Sequence, residues 1–364
     1  MEERYLQLLA EIVNIDSGTG DAKGLSRLAG ILEAELVKLQ FQMQTLNADD
    51  GSKHYYATRG QGERILLIAH LDTVFPRGTV AKRPFKIEGD LAFGPGVSDC
   101  KSGVVTIVGA MERLSLGAWP AYEIGCLFNT DEEIGSPGSR GIIQRLAKES
   151  KAVLVIEPAE EENITVARKG IGRFTLQVFG KAAHSGSNYQ DGRNAILEMA
   201  HKIIAIQALT GCLPGITLNV GVTGGGVRPN IVPDYAEAEI DLRFQNPGDE
   251  EKVIQELKKI ASQAQIAGCT GKLKGGVTRP PMPLNDDNLQ LYKLLKGAGA
   301  EIGISLGTFQ SGGGSDANFT AALGIPTVDG VGPIGGGHHS DAEYLSLPSL
   351  WQRIQLLAGF FKYI

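Results

Sequence analysis

The sequence predicts a two-domain α/β protein: a mixed, largely parallel sheet flanked by helices, interrupted by a smaller α+β domain. Three observations carry that prediction. Continuous apolar runs at Arg64–Ala69, Tyr122–Phe128 and Ala152–Ile156 alternate with helical patterns near Ser102–Leu114 and Ser139–Ala147, as strands covered on both faces by crossover helices do. After Asn163 the texture changes to polar–apolar alternation, as in Ile171–Phe179, the mark of a sheet with one wet face. A chain of 364 residues also exceeds one comfortable hydrophobic core.

Taken in order, Glu2–Val13 and Leu25–Leu39 place apolar residues at helical spacing. Phe41–Leu46 and His54–Thr58 follow as expected edge strands leading to the run Arg64–Ala69. The altered stretch then reads strand Ile171–Phe179, helix Ala195–Ala208, strands Thr217–Val222 and Ala236–Phe244, helix Asp249–Ile266 and strand Gly271–Gly276. That βαββαβ order is the ferredoxin-like sandwich. From Thr278 the α/β texture returns with helix Asp287–Gly297, a glycine loop at Gly312–Gly314 and a closing helix near Pro348–Lys362. The expected organisation is 1–165 and 278–364 as one discontinuous domain, with 166–277 inserted.

A formal net charge of −6 and the lack of any basic cluster argue against a nucleic-acid partner. No apolar run reaches membrane length, and Met1-Glu2-Glu3-Arg4 leads straight into an amphipathic pattern, so no membrane association is expected. Cys100, Cys126, Cys212 and Cys269 are scattered without metal-type pairing. They read as reduced thiols of a cytoplasmic protein.

Chemistry-bearing residues gather where the apolar runs end. The first run stops at His70-Leu71-Asp72-Thr73, the second at Thr130-Asp131-Glu132-Glu133 and the third at Glu157-Pro158. Two glycine-rich loops, Gly94–Gly103 and Gly335–Tyr344, add Asp99 and the pair His338-His339. In open α/β sheets ligands bind outside the carboxyl ends of the strands. A lone histidine is more often structural, and an acidic triple is more often a solvated turn. Five such loops in one chain point instead to a site. Oxygen and imidazole donors suit zinc, cobalt or manganese in hydrolytic chemistry. A carboxylate bridging two ions, with one His and one Glu completing each, leaves a spare carboxylate as general base.

These motifs, together with Lys181-Ala182-Ala183-His184-Ser185-Gly186 and Pro229-Asn230-Ile231-Val232-Pro233, resemble the zinc-dependent M20 metallopeptidases across nearly the whole chain. Asp72-Thr73-Val74-Phe75, Gly135–Arg140 and Gly312–Ala317 look most like the glutamate carboxypeptidase branch. The resemblance implies a zinc-exopeptidase-type fold and two zinc ions per chain, with cobalt or manganese as substitutes. It assigns Asp99 as the bridge, His70 and Glu157 to one ion, and Glu133 and His339 to the other. His339 is preferred to His338 for its spacing to Glu343-Tyr344. Glu132 is then the general base and Asp72 the residue orienting His70.

Around the substrate, the resemblance assigns His184, Asn230 and Arg243, with His184 reaching the partner subunit's site in a homodimer. Arg279 is a candidate clamp for a substrate carboxylate, and Gly313 and Gly314 a candidate backbone cradle. The competing reading of each arginine is a surface ion pair, which contributes little. Cys100, where relatives commonly carry an acidic or apolar residue, departs from the pattern. The expected reaction is hydrolysis of the amide to a C-terminal residue, glutamate foremost, of a small peptide or N-acyl amino acid. An aminoacylase or di/tripeptidase on the same scaffold is the alternative within the class. A silent metal-binding scaffold or sensor is the alternative outside it.

Overall fold

Strand Arg64–His70 lies inside a six-stranded sheet, paired in parallel with Glu123–Asn129 on one side and Ser150–Val155 on the other. The full order is Gln42–Asn47, Lys53–Arg59, Glu123–Asn129, Arg64–His70, Ser150–Val155, Thr327–Val328. The two pairings at the first edge are antiparallel and the remaining three parallel. Lys53–Arg59 is therefore an interior strand and not the edge expected from sequence; His54, Tyr55, Tyr56 and Ala57 are all buried. The computed structural model describes residues 2–364.

The parallel register decides where the chemistry goes. His70 sits opposite Asn129, and Ile156 donates its N–H to the Ile68 carbonyl. The segments beginning at Leu71, Thr130 and Glu157 thus leave the sheet side by side. Helix Lys101–Ser115 is buried on nearly every side, with Val104, Val105, Ile107, Val108 and Met111 in the core. A helix apolar all round is one enclosed between layers. Here the sheet lies on one side and Leu347–Phe360 on the other; a Cβ on Gly109 would lie 2.8 Å from Ile354.

A four-stranded sheet absent from the sequence reading joins Gly335–Gly336, Tyr344–Ser346, Leu91–Phe93 and Lys86–Glu88. Its pairing of Tyr344 with Phe93 sets the loop 337–343 beside the loop 94–99.

The chain divides into two units. One takes the chain up to Ala167, Leu284–Ser311 and Ser315–Ile364; the other takes Arg168–Pro283 and Gly312–Gly314. In the second unit an antiparallel sheet runs Thr217–Gly225, Tyr235–Phe244, Gly170–Phe179, Thr270–Arg279. Phe174, Leu176, Val178, Ile240 and Leu242 of this sheet pack with Met199, Val253 and Leu257 of helices Ala195–Gln207 and Asp249–Ser262. The unit extends beyond the expected 166–277 because Arg168 and Met282 exchange backbone hydrogen bonds. It also claims the glycine loop, since Arg243 Nη1 donates to Gly312 O and Arg168 Nη1 to Gly313 O. Among the described residues, no helix is long and apolar enough to cross a membrane.

Candidate metal centre

All five expected ligands lie in the first unit and converge. His70 Nε2 lies 2.9 Å from Asp99 Oδ1 and 3.7 Å from Glu157 Oε1. His339 Nε2 lies 3.3 Å from Asp99 Oδ2 and 3.1 Å from Glu133 Oε2. The two oxygens of Asp99 are thereby divided between two His/Glu pairs. Donor atoms on a tetrahedral zinc shell of about 2.0–2.1 Å radius stand about 3.3–3.4 Å apart. The observed separations bracket that value, and the donors are of the right kind, so the residues fit a pair of such ions.

Electrostatics agree with the geometry. Burial, countered by His70 and reinforced by Asp99, pushes both Glu133 and Glu157 up to about 7. Asp99 goes the other way: burial opposes its charge, but His339 and His70 hold it well below the usual carboxylate range. The Asp99 contact, against the cost of burial, raises His339 to about 9. His70 is held well above the ordinary imidazole value despite its burial, chiefly by Glu157, Asp72 and Asp99. A pocket that draws protons onto both imidazoles is one whose carboxylates require positive charge.

The acidic triple separates into three environments. Asp131 turns away, accepting from Gly138 N, Ser139 N and Ser139 Oγ, and so fixes the turn ahead of helix Arg140–Lys148. Glu133 faces His339, while half-buried Glu132 stands on the same short 3₁₀ turn. Asp72, fully buried, holds that turn: its carboxylate accepts from Glu132 N and Glu133 N at 3.2 Å each. His70 Nδ1 lies 3.0 Å from the Asp72 backbone carbonyl and 3.4 Å from its carboxylate. With an ion held there, donation to that carbonyl would leave the Nε2 lone pair for the metal, on the side of Asp99 and Glu157. Asp72 thus orients His70 more through its main chain than its side chain.

Neither His338 nor His54 joins this group. His338 Nε2 shares a hydrogen bond with Ser98 Oγ at 3.0 Å. His54, buried, accepts from Thr130 N and pairs with Ser52 Oγ. Cys100 Sγ forms a ligand-spaced group with His70 and Glu157. Its thiol donates to Ile156 O, and burial pushes its pKa well above the usual value. Those facts suit a residue filling a tight loop.

Three residues absent from the expected set organise the centre. Glu343 accepts from Gly96 N, Ser98 N and Asp99 N, fixing the loop that carries Asp99. Thr19 Oγ1 donates to Asp72 Oδ2 at 2.7 Å. Buried Lys101 donates to Ile15 O. Glu343 closes a motif visible in the sequence; Thr19 and the segment 14–21 around it carry no motif.

In the second unit, His184 pairs with Ile231, and Ser185 N donates to Asn230 O, so His184 and Asn230 share one loop pair. His184 Nδ1 accepts from Gly186 N and Ser187 N, which places the ring proton on Nε2. Arg243 is engaged by Asp241 through Nε and Nη2 and by Gly312 through Nη1. Arg279 is buried, and its Cδ lies 2.9 Å from where a Cβ on Gly314 would stand, with Ile171 Cδ1 at 2.7 Å. Only glycine fits there. Gly313 already accepts from Arg168 through its carbonyl.

A largely parallel sheet whose strand ends collect imidazoles and carboxylates around one divided aspartate defines a metal-dependent hydrolase. The chain belongs to peptidase family M20/M25/M40, whose family pattern matches residues 66–363. It is 33% identical over 363 residues to carboxypeptidase G2 of Pseudomonas sp. (strain RS-16), covering 97% of this chain and 87% of that protein. Its fold matches the aminopeptidase PepT of Bacillus cereus ATCC 10987 with a TM-score of 0.87 at 23% identity, over 100% of this chain and 98% of the other. It also matches an M20 family metallo-carboxypeptidase, Sso-CP2 of Sulfolobus solfataricus, with a TM-score of 0.77 at 20% identity, over 99% and 98% of the two chains.

Proposed function

We propose that this M20 peptidase is a cytoplasmic dinuclear zinc exopeptidase. It hydrolyses the amide to a C-terminal amino acid, glutamate first among candidates, of small peptides or N-acyl amino acids. The observation that carries this reading is the division of the Asp99 carboxylate between His70/Glu157 and His339/Glu133. His70, Asp99 and Glu157 would hold one ion, and Asp99, Glu133 and His339 the other. Zinc held there supplies Lewis acidity and concentrated positive charge.

The chain's own residues do the rest. Glu132, its main chain held by Asp72, takes the proton from water at its carboxylate and delivers it to the leaving nitrogen. His184, with Nδ1 committed to two backbone N–H groups, has Nε2–H to offer a scissile carbonyl, and in this reading serves the partner subunit of a homodimer. Support for pairing comes from exposed Ile204, Val222 and Val227, which are 70%, 58% and 81% exposed, on or beside the edge strand and helix of the second unit. Asn230, Arg243, Arg279, Gly313 and Gly314 would bind the substrate, with Arg279 the candidate clamp for its carboxylate. The four free cysteines suit a cytoplasmic setting.

The test is a panel of N-acyl glutamates, other N-acyl amino acids, and di- and tripeptides, assayed with zinc-loaded protein of measured metal content. Preference for acyl-glutamates supports the reading. Preference for other N-acyl amino acids or for free-amine peptides replaces it with the aminoacylase or di/tripeptidase alternative. Bound metal with no hydrolysis of any member would make the protein a silent scaffold, against which an intact Glu132 speaks.

A further inference from the structure

The ligand His339 stands on an exposed loop between two short strands. Its backbone is left-handed, with φ 61°, a conformation few non-glycine residues adopt unless the surroundings impose it. Residues 337–341 are all exposed, and the short strands Gly335–Gly336 and Tyr344–Ser346 lie outside the loop. Inside it, Ser340 N and Ser340 Oγ donate to Gly337 O, Ala342 N donates to Ser340 Oγ and Glu343 N donates to Ser340 O at 3.3 Å, while His338 Nε2 shares its bond with Ser98 Oγ.

One guanidinium reaches this loop from 257 residues earlier in the chain. Arg83 Nη1 donates to Ser340 O at 2.7 Å, one residue past His339. Its side chain is 16% exposed and lies 4.5 Å over the Phe75 ring. Nearby Asp341 is 95% exposed at 3.8 Å and adds little. Among the described residues, buried Arg83 Nε and Nη2 have no hydrogen-bond partner, so the bond to Ser340 is the strong polar contact the group makes there.

Arg83 is itself held on both sides. Asp16 accepts from Gly78 N and Val80 N, and Asn14 Oδ1 accepts from Phe85 N. The same N-terminal segment holds Asp72 through Thr19. One strap therefore braces the His70 side through Asp72 and the His339 side through Arg83.

We infer that Arg83 is a positioning residue that sets His339 against Asp99 and Glu133, so that its loss weakens one half of the divided centre and spares the other. This rests on the dinuclear reading above. The experiment is a chelator-competition titration with zinc on the wild type, Arg83→Ala and Arg83→Gln, with circular dichroism and melting of the metal-free proteins as a folding check. Partners that orient metal ligands typically contribute about 10–100-fold in metal affinity. The expected result is one site unchanged and the other weakened by that order in both variants. Turnover should recover as zinc is raised, KM at saturating zinc should stay near wild type, and added guanidinium ion should strengthen the weak site of Arg83→Ala. A fold defect would produce none of this pattern. Two sites of wild-type affinity in both variants, or equal weakening of both sites, overturns the inference. A wild type that binds fewer than two ions overturns the dinuclear reading instead.

Discussion

Glu343→Gln removes one oxygen from a carboxylate that three backbone N–H groups converge upon. Oε1 accepts from Ser98 N and Asp99 N at 3.0 Å each, and Oε2 accepts from Gly96 N at 2.8 Å. The glutamine carbonyl can replace Oε1, converting two charge-assisted bonds to neutral ones at a loss of about 1 kcal/mol each. Its NH₂ group then meets Gly96 N–H donor to donor, and that buried N–H costs about 1–3 kcal/mol unpartnered. Burial works in the opposite direction: it raises the Glu343 pKa, so a neutral amide regains part of what the charge forfeits. About 2–4 kcal/mol of net destabilisation is expected, together with weaker binding at Asp99, the residue after Ser98. Urea unfolding of metal-free protein near neutral pH measures the first, and zinc titration the second. A loss below about 1 kcal/mol with unchanged zinc affinity would refute the claim that Glu343 shapes the bridging loop.

The other predictions concern the ligands, the base, assembly and pH. Asp99→Ala should lose both ions and Glu157→Ala mainly one, as metal analysis of purified variants would show; full occupancy in Asp99→Ala sinks the bridge. Glu132→Gln should keep its metal while turnover falls about 10²–10⁴-fold or more, and near-normal turnover would remove Glu132 from the mechanism. Mixing inactive His184→Ala with inactive Glu132→Gln under subunit exchange should restore activity, whereas exchanged mixtures that stay dead rule out sites shared between subunits. Burial, against Glu343 and Asp16, lowers Lys101 to about 7. An unfolded lysine titrates near 10.4. Between about pH 7 and 10 the folded chain therefore binds fewer protons than the unfolded one at this residue, and the contribution makes stability rise with pH. Urea midpoints at pH 7 and 9 should show that rise in wild type relative to Lys101→Met.

The parallel sheet was legible because Ile65–Ala69 and Ala152–Ile156 are apolar at consecutive positions, which only burial on both faces explains. His54–Thr58 misled because two tyrosines, a histidine and a threonine look like an edge, although Glu123–Asn129 pairs alongside and His54, Tyr55, Tyr56 and Ala57 are buried. The acidic triple marked a candidate site, but which acid turned inward did not follow from adjacency. That depended on Ser139 and Gly138 taking Asp131, and on Asp72 taking the turn's N–H groups. The strap 14–21 left no trace in periodicity or motif, since it acts through the Ile15 carbonyl and single polar side chains reaching distant loops. Gly312–Gly314 joined the second unit through carbonyls bound by arginines far away in sequence.

The bond from Glu343 to the Asp99 loop also bears on how the molecule is made. A ribosome delivers His70, Asp99, Glu133 and Glu157 before the second unit with its own core, and His339 and Glu343 after it. Domains with their own cores fold as units during synthesis. The three N–H groups at Gly96, Ser98 and Asp99 wait for a side chain that follows them by 247, 245 and 244 residues. A nascent polypeptide that has not yet reached Glu343 can therefore own most of its sheet and still lack the carboxylate that fixes the Asp99 loop.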